Sequence, residues 1–194
     1  MTLKDRSLLE RAVDGLFATG VVDEVVVMVP SDMVDGARAL VPRARVVVGG
    51  AERTDSVRAG LAAAGDAELV LVHDAARPMT PPAMIVRVVD ALRAGASAVI
   101  PVLPVADTVK RVDADGAVLA TVDRADLRAV QTPQGFTAAS LRTAYDAAPG
   151  ELATDDAGLV ERAGGTVVTV AGDPLAMKIT TAFDLRVAQA LIEE

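Results

Sequence analysis

Cysteine is absent from this chain of 194 residues, and histidine occurs once, at His73. The chain can therefore form no disulfide bond, no thiolate nucleophile and no metal site with cysteine or several histidine ligands. Aromatic residues make up only 2% of the chain, and tryptophan is missing. We expect a core built from Val, Leu, Ile and Ala. The chain also lacks the aromatic stacking platforms that single-stranded nucleic-acid binders use.

Positive charge is also scarce, because 19 Lys and Arg residues stand against 27 Asp and Glu residues, a net charge of −8. General binding to nucleic acids or membrane surfaces favours the opposite sign, so any phosphate binding must come from a local basic pocket. The apolar run Val25–Val29 ends at Pro30 and is far shorter than a membrane span. The N-terminal segment MTLKDRSLLERAV is charged and unlike a signal peptide, so we expect a cytoplasmic protein.

The sequence does have a regular alternation of strand and helix patterns, in a length that suits one domain. Its short strand patterns are apolar at successive positions, which is typical of a parallel sheet with helices on both faces. We predict a doubly wound α/β domain. The patterns predict helices over 7–19, 31–40, 80–95, 138–147 and 154–163, one more helix that ends at about residue 64, and a last helix that begins at residue 182. They predict strands over 24–29, 45–48, 69–73, 98–102, 166–171 and 177–179.

Residues 107–131 interrupt this alternation. Thr108–Val112 and Val118–Val122 read as strands, and Asp113–Gly116 forms a turn between them. Such a hairpin has no place in a parallel sheet, so we expect it to project as an arm. An isolated hairpin is marginally stable in water, and a second subunit is the natural surface for it. We therefore predict one domain, residues 1–194, with 107–131 as a dimerisation arm.

The segment HDAARP, residues 73–78, follows a predicted buried strand. In open parallel sheets the ligand crevice lies outside the carboxyl ends of the strands. Asp74 can hold a divalent cation there, and Arg77 can face an anionic group. The same two side chains can instead simply tie down the loop, and the position slightly favours function. A lone histidine at a strand end, such as His73, is more typical of a structural residue.

The segment GGAERTDSV, residues 49–57, follows another predicted strand. Gly49 and Gly50 permit a close approach of the main chain to a ligand. Ser56 can cap the next helix, whose N-terminus suits a ligand oxygen. An ordinary turn explains the two glycines equally well. The chain contains neither G-x-G-x-x-G nor G-x-x-x-x-G-K-[ST], so dinucleotide binding of that type and P-loop chemistry are unsupported.

Other polar segments leave their role open on spacing alone. Those that bracket the arm favour a solvated face, and they are DTVKR (107–111), TVDR (121–124) and TPQGF (132–136). Lys178, inside PLAMKIT, can either snorkel to the surface or reach into a crevice. The segment TDDA, residues 154–157, fits a helix start with acidic residues in its first turn. A metal role for Asp155 or Asp156 is the less favoured alternative.

In their order along the chain, these segments resemble the 2-C-methyl-D-erythritol 4-phosphate cytidylyltransferase family of the non-mevalonate isoprenoid pathway. The matching segments, from about Leu8 to the end, include GGAERTDSV, LVHDAARP, VIPVLPVADTVKR, TVDR, AVQTPQGF, TDDA and GDPLAMKITT. The resemblance implies a Rossmann-like nucleotide-diphospho-sugar transferase fold and a homodimer made through the arm. It also implies Mg²⁺ or another divalent cation. The reaction would join CTP and 2-C-methyl-D-erythritol 4-phosphate into 4-(cytidine 5'-diphospho)-2-C-methyl-D-erythritol and release pyrophosphate.

The resemblance also implies roles for individual residues. Gly49, Gly50 and Ser56 would recognise cytosine, and Arg53 and Arg58 are candidate charges on the phosphate side. The remaining roles lie around the metal and the methylerythritol phosphate. Asp74 would bind the metal, and the substrate-binding positions would be Arg77, Thr108, Arg124, Thr132 and Lys178, with Thr108 and Arg124 reaching from the partner subunit. The catalytic set would be Asp74, Lys178 and Arg124.

The family pattern opens with a strand and a Gly-rich loop that contains a catalytic Arg and ends in Pro-Lys. The segment MTLKDRSLLERAV matches only the part of the pattern that lies after this loop. We therefore expect these 194 residues alone to be poorly active or inactive, and we expect a gap or an exposed edge in the sheet.

Two other functions fit the same segments. A cytidylyltransferase that uses ribitol phosphate would share most of them, and the missing loop favours a non-catalytic nucleotide-binding dimer. A nucleic-acid-binding module is a distant third, because the net charge opposes it.

Overall fold

The structure is a computed structural model that describes residues 1–148 and 155–193. Its α-helices are α1 (Leu8–Phe17), α2 (Val34–Leu40), α3 (Arg53–Ala63), α4 (Pro82–Arg93), α5 (Ala138–Ala147), α6 (Asp156–Arg162) and α7 (Ala182–Glu193). Its strands are β1 (Thr2–Leu3), β2 (Arg6–Ser7), β3 (Val26–Val29), β4 (Arg45–Val48), β5 (Leu69–Val72), β6 (Ala98–Pro104), β7 (Val109–Val112), β8 (Val118–Val122), β9 (Arg128–Val130), β10 (Gln134–Thr137) and β11 (Val167–Ala171). The predicted α/β class is confirmed.

The largest sheet has the order β11-β6-β10-β5, and β9 pairs with β6 beside that path. Strands β5, β6 and β11 run in one direction, and β10 lies reversed between β5 and β6. Strands β3 and β4 form a separate parallel pair. Within the described residues no ladder joins β3 to β5, so each has an unpaired edge, as expected.

The two faces of the large sheet are covered by different helices. Ala98 and Ile100 of β6 pack in the cluster that contains Leu141 of α5. Val99, between them, packs with Val88 of α4 on the opposite face. Because side chains alternate along a strand, β6 is apolar at successive positions and buried on both sides. The predicted helix layers on both faces of the sheet are therefore present.

The reversed strand β10 was not predicted, because QGFT contains a single large apolar residue. Its Gly135 lies flush against α4. A β-carbon there would lie 2.5 Å from Val88 Cγ1 and 2.9 Å from Leu92 Cδ1. The glycine therefore allows the strand to pack directly on the helix.

Several predicted boundaries and caps differ from the structure. The segment 177–179 is not a strand, because a 3₁₀ helix, Pro174–Ala176, precedes an irregular loop there. The residues at the N-cap positions of α3 and α4 are Glu52 and Pro81, rather than the expected Ser56 and Thr80.

Two further helix starts were placed imprecisely. The segment predicted as a helix over 31–40 opens with a 3₁₀ turn, Ser31–Met33, in which Ser31 makes no capping bond. Helix α6 begins at Asp156 with Asp155 as its N-cap, and the predicted start, Thr154, lies outside the described residues.

The predicted hairpin is present. Strands β7 and β8 pair antiparallel with Val109 opposite Val122. Asp113 Oδ1 accepts the N–H groups of Asp115 and Ala117 and so closes the turn. Three apolar side chains of the hairpin are exposed, namely Val112 (50%), Val118 (61%) and Leu119 (60%). Dimerisation through this arm stays a prediction. Among residues 1–148 and 155–193, no helix combines the length and apolar character needed to cross a membrane.

Candidate active site

The loop after β5 is locked in place by Thr132, which precedes β10. The backbone N–H of Asp74 donates to Thr132 Oγ1 at 3.0 Å. The same hydroxyl lies 3.0 Å from His73 Nδ1. Burial lowers the pKa of His73 to about 4, so the imidazole is neutral at physiological pH. These contacts support the structural role expected for His73, and they place Thr132 directly beside Asp74.

A second loop, Gly172–Thr180, is fastened onto the first one. The Ile179 N–H donates to the Ala76 carbonyl at 2.8 Å. Arg77 Nη1 donates to the Ala176 carbonyl at 2.6 Å. These two bonds bring Lys178 next to Asp74, although the sequence separates them widely.

The far end of the second loop is held by Gln131. Its amide donates to the Asp173 carbonyl at 2.8 Å and accepts the Asp173 N–H at 2.9 Å. A β-carbon at Gly172 would lie 2.3 Å from Gln131 Oε1, so only glycine permits this approach. Nothing in the sequence pattern pointed to this buried glutamine as a support for the loop.

Asp74 lies between two cations. Its Oδ2 is 3.1 Å from Lys178 Nζ and 3.5 Å from Arg77 Nε. Burial alone would raise the pKa of Asp74, but the hydrogen bond and charge of Lys178, with the charges of Arg77 and Arg53, bring it below its ordinary value. Asp74 is therefore a carboxylate at neutral pH. Lys178 is 47% exposed, so its ammonium can face a ligand as well as Asp74.

The loop that contains Gly49 and Gly50, called the glycine loop below, lies against the first turn of α3. The Gly50 N–H donates to Ser56 Oγ at 3.1 Å, and Ser56 Oγ donates to the Glu52 carbonyl at 3.2 Å. A β-carbon at Gly50 would lie only 2.0 Å from Asp55 Cβ. The loop geometry therefore requires glycine, while cytosine recognition by Gly49, Gly50 and Ser56 stays a prediction. Ser56 lies inside α3 and is not its cap.

The two candidate arginines of α3 have different surroundings. Arg53 forms a bidentate pair with Asp156, with Nη1–Oδ1 at 3.1 Å and Nη2–Oδ2 at 2.5 Å. Arg58 donates to the carbonyls of Tyr145 and Ala148 at 2.7 and 3.1 Å. Arg58 also lies over the Tyr145 ring. These contacts favour a structural role for Arg58, which ties α3 to α5.

The less favoured metal role for Asp155 and Asp156 finds no support. Asp155 accepts the Gly158 N–H at 3.0 Å and the Gln134 amide at 2.9 Å. Asp156 is occupied by Arg53 and by the Tyr145 hydroxyl. In the part of the chain that the structure describes, no group of three or more His, Cys, Asp or Glu side chains could hold a metal ion.

Thr108 and Arg124 lie on the arm, and both are exposed. Within the described residues, neither forms a side-chain hydrogen bond or ion pair with Asp74 or Lys178 of the same chain. One chain thus brings together Asp74, Arg77, Thr132 and Lys178, while the two arm residues stay apart from them. Their predicted role requires a second subunit.

Comparisons with known proteins agree on one family. Residues 1–194 match the family model described as "IspD: 2-C-methyl-D-erythritol 4-phosphate cytidylyltransferase". A curated protein of that name from Nocardia farcinica is 66% identical over 189 residues, which cover 96% of this chain and 81% of the relative. Its counterpart from Rhodococcus jostii is 62% identical over 189 residues, covering 97% and 83%.

Solved structures are similar as well. The crystal structure of 4-diphosphocytidyl-2C-methyl-D-erythritol synthase from Anaerococcus prevotii has a TM-score of 0.91 at 30% identity and covers 100% of this chain and 92% of its own. The 2-C-methyl-D-erythritol 4-phosphate cytidylyltransferase from Thermus thermophilus has a TM-score of 0.86 at 38% identity, with the same coverage.

Proposed function

Because this chain belongs to the 2-C-methyl-D-erythritol 4-phosphate cytidylyltransferase family, we propose that it joins CTP and 2-C-methyl-D-erythritol 4-phosphate and releases pyrophosphate. The product is 4-(cytidine 5'-diphospho)-2-C-methyl-D-erythritol, an isoprenoid precursor. The main structural support for this reaction is that Lys178 Nζ lies 3.1 Å from Asp74 Oδ2, where two loops meet. Such a pair offers one group for a cation and one for a phosphate.

The reaction needs no nucleophile from the protein. A phosphate oxygen of the methylerythritol phosphate attacks the α-phosphorus of CTP, a new P–O bond forms, and the bond to the β-phosphate oxygen breaks as pyrophosphate leaves. The task of the protein is to align the two substrates and to supply positive charge. Asp74 holds the ammonium of Lys178 in place, and the exposed part of Lys178 donates to substrate phosphate.

We also propose that Asp74 holds a divalent cation, with Mg²⁺ as the first choice. Its Oδ2 faces Lys178 and Arg77, while Oδ1 has no hydrogen-bond partner among the described residues. Mg²⁺ is commonly held by one or two carboxylates, with substrate phosphates and water completing its shell. A single free carboxylate oxygen fits that chemistry. The ion would neutralise charge on the triphosphate.

The loop at Gly49 and Gly50, with Ser56, is our proposed cytosine site. The main chain at Gly50 is exposed, and the missing side chains leave it open to a base. Ser56 Oγ already bonds to the Gly50 N–H and so sets the geometry of the loop.

We infer that a homodimer forms through residues 107–131, with Thr108 and Arg124 serving the partner's substrate site. The support is the exposed apolar side chains of the hairpin, which are unusual on a surface that meets only water. Leu119→Asp should give a monomer in light scattering after gel filtration. Leu191→Asp, at another exposed leucine, should leave the dimer intact. A wild-type monomer would contradict the inference.

The reaction is tested by following pyrophosphate release from CTP with a panel of polyol phosphates. The assay uses the 194 residues and a version preceded by the family's N-terminal strand and Gly-rich loop. Product with 2-C-methyl-D-erythritol 4-phosphate supports the proposal, and preference for ribitol phosphate contradicts its substrate. CTP binding without turnover in the longer protein would favour a non-catalytic nucleotide-binding dimer.

We propose that the protein acts in the cytoplasm, because neither charged substrate crosses a membrane unaided.

A further inference from the structure

Asp156 is a fully buried carboxylate that the proposed reaction does not use. It lies in the first turn of α6 and accepts the Tyr145 hydroxyl at 2.5 Å. Both of its oxygens also accept from the guanidinium of Arg53. Burying an unpaired charge costs free energy because the charge loses its hydration, and here Arg53 and Tyr145 compensate for that loss. Such an arrangement holds Arg53 in one orientation.

This network is tied to the strand that supports the site. Gln134 Oε1 accepts the backbone N–H groups of Asp156 and Ala157 at 3.2 and 3.1 Å. Gln134 lies opposite Val72 of β5, two positions before Asp74. Thr132, two residues earlier than Gln134, accepts the Asp74 N–H. The start of α6 is therefore positioned by the same segment that positions Asp74.

Arg53 is connected to both halves of the proposed site, the glycine loop and the loop of Asp74. It is the first residue of α3, directly after the glycine loop. Its partner Asp156 is bonded to Gln134, which pairs with Val72 of β5. Arg53 is therefore anchored to the strand that leads to Asp74. The side chain is 37% exposed, and among the described residues its hydrogen bonds go to Asp156 alone. A guanidinium has five N–H donors, so three remain for a ligand.

We propose that Asp156 and Tyr145 are positioning residues that hold Arg53 with its remaining N–H groups toward the triphosphate of CTP. The inference rests on the proposed function and adds to it the two residues that hold Arg53, a candidate charge on the phosphate side. A planar guanidinium fixed on one edge by a carboxylate presents its other edge in a defined direction, which the ammonium of a lysine does not do. Among the residues that the structure describes, Arg58 has no carboxylate partner. Its Nη2 donates to two backbone carbonyls and its guanidinium lies over the Tyr145 ring, so we expect it to tie α3 to α5 instead.

The test compares ligands with and without phosphates. Arg53→Gln should weaken binding of CTP and of inorganic pyrophosphate by roughly tenfold in calorimetry, because a charged hydrogen bond is lost. Binding of cytidine, which has no phosphate, should stay within about twofold of wild type. Arg53→Lys should not restore CTP affinity. Arg58→Gln is the matched control on the same helix and should leave the ratio of CTP to cytidine affinity unchanged.

Arg53→Gln alone leaves Asp156 buried without its cation, and the variant can fail to fold. The double variant Arg53→Gln with Asp156→Asn replaces the ion pair by a neutral pair of amides, and it should keep the fold while losing affinity for the phosphates. Tyr145→Phe should raise the KM for CTP by a smaller factor and leave the KM for the polyol phosphate unchanged.

If Arg53→Gln weakens the binding of cytidine and of CTP by the same factor, the inference is overturned, since Arg53 would then only support the glycine loop. Unchanged CTP affinity in the folded double variant would also overturn it. If the wild type makes product, either of these two results rejects the role of Arg53 but does not contradict the proposed function. If the wild-type sequence preceded by the family's N-terminal strand and Gly-rich loop makes no product, that result contradicts the proposed function instead.

Discussion

Lys178 Nζ lies 3.1 Å from Asp74 Oδ2, although the two residues belong to loops more than a hundred positions apart in the chain. The contact depends on one backbone hydrogen bond between the loops, from Ile179 to Ala76, and on the bond from Arg77 to the Ala176 carbonyl. The charged pair is therefore a product of loop docking, and each partner can be tested separately.

Removing either partner should abolish most of the activity. We expect Asp74→Asn and Lys178→Ala each to lower kcat/KM at least a hundredfold, because stabilisation of charge in the transition state is lost. Pyrophosphate release measures the effect, and thermal unfolding confirms that the variants are folded. Lys4→Gln, at a lysine bonded to the Ile192 carbonyl, is the control and should match the activity of the wild type in which the variants are made. Asp74→Asn with more than a tenth of wild-type activity would be inconsistent with this site.

Mixing two inactive variants should restore activity if the arm serves the partner's site. Dimers that contain one Asp74→Asn chain and one Arg124→Ala chain have one site with both changes and one intact site. After subunit exchange at equal amounts, we expect about a quarter of wild-type activity, because half of the dimers are mixed and each has one good site. No recovery, with exchange verified by mass spectrometry, would mean that Arg124 acts within its own chain.

Gly135→Ala should destabilise the fold. The added methyl group would lie 2.5 Å from Val88 Cγ1, so α4 or β10 must shift, at a cost of about 1–3 kcal/mol in the free energy of unfolding. Gly36→Ala, inside α2 with no atom within 4 Å of the new β-carbon, is the matched control. It should be neutral or stabilise by up to about 1 kcal/mol. Urea unfolding measures both, and equal stability of the two variants would refute this explanation of Gly135.

Asp184 should stabilise the start of α7 in a pH-dependent way. Hydrogen bonds from the backbone of Thr180 and Thr181 lower the pKa of Asp184 to about 2. A carboxylate whose pKa is lower in the folded state stabilises the fold above its unfolded pKa, near 4, and this contribution is lost as the pH falls toward 2. Asp184→Asn should therefore be less stable than wild type at pH 7 in urea unfolding. The difference should shrink between pH 4 and pH 2, and a constant difference would argue against the role of the charge.

Local patterns were sufficient for elements whose signal lies in their own residues. Helix α5 and strand β4 have the predicted bounds, and α7 begins where the sequence indicated. Strand β10 escaped prediction because its extended shape comes from pairing with β5 and β6 rather than from its own composition. The segment 177–179 is the opposite case. Its apolar pattern suits a strand, but no neighbouring strand pairs with it among the described residues, and it lies in a loop.

Periodicity and composition were enough to predict the α/β architecture and the hairpin, because they are properties of the chain alone. The class of chemistry and the candidate site residues came from the order of the motifs, through their resemblance to a family. Which of those residues meet became visible in three dimensions. Asp74, Thr132 and Lys178 converge through hydrogen bonds between distant loops, and Arg53 differs from Arg58 because a buried Asp156 lies beside one and backbone carbonyls beside the other. Contacts of this kind depend on packing across the whole chain, which spacing along the sequence does not encode.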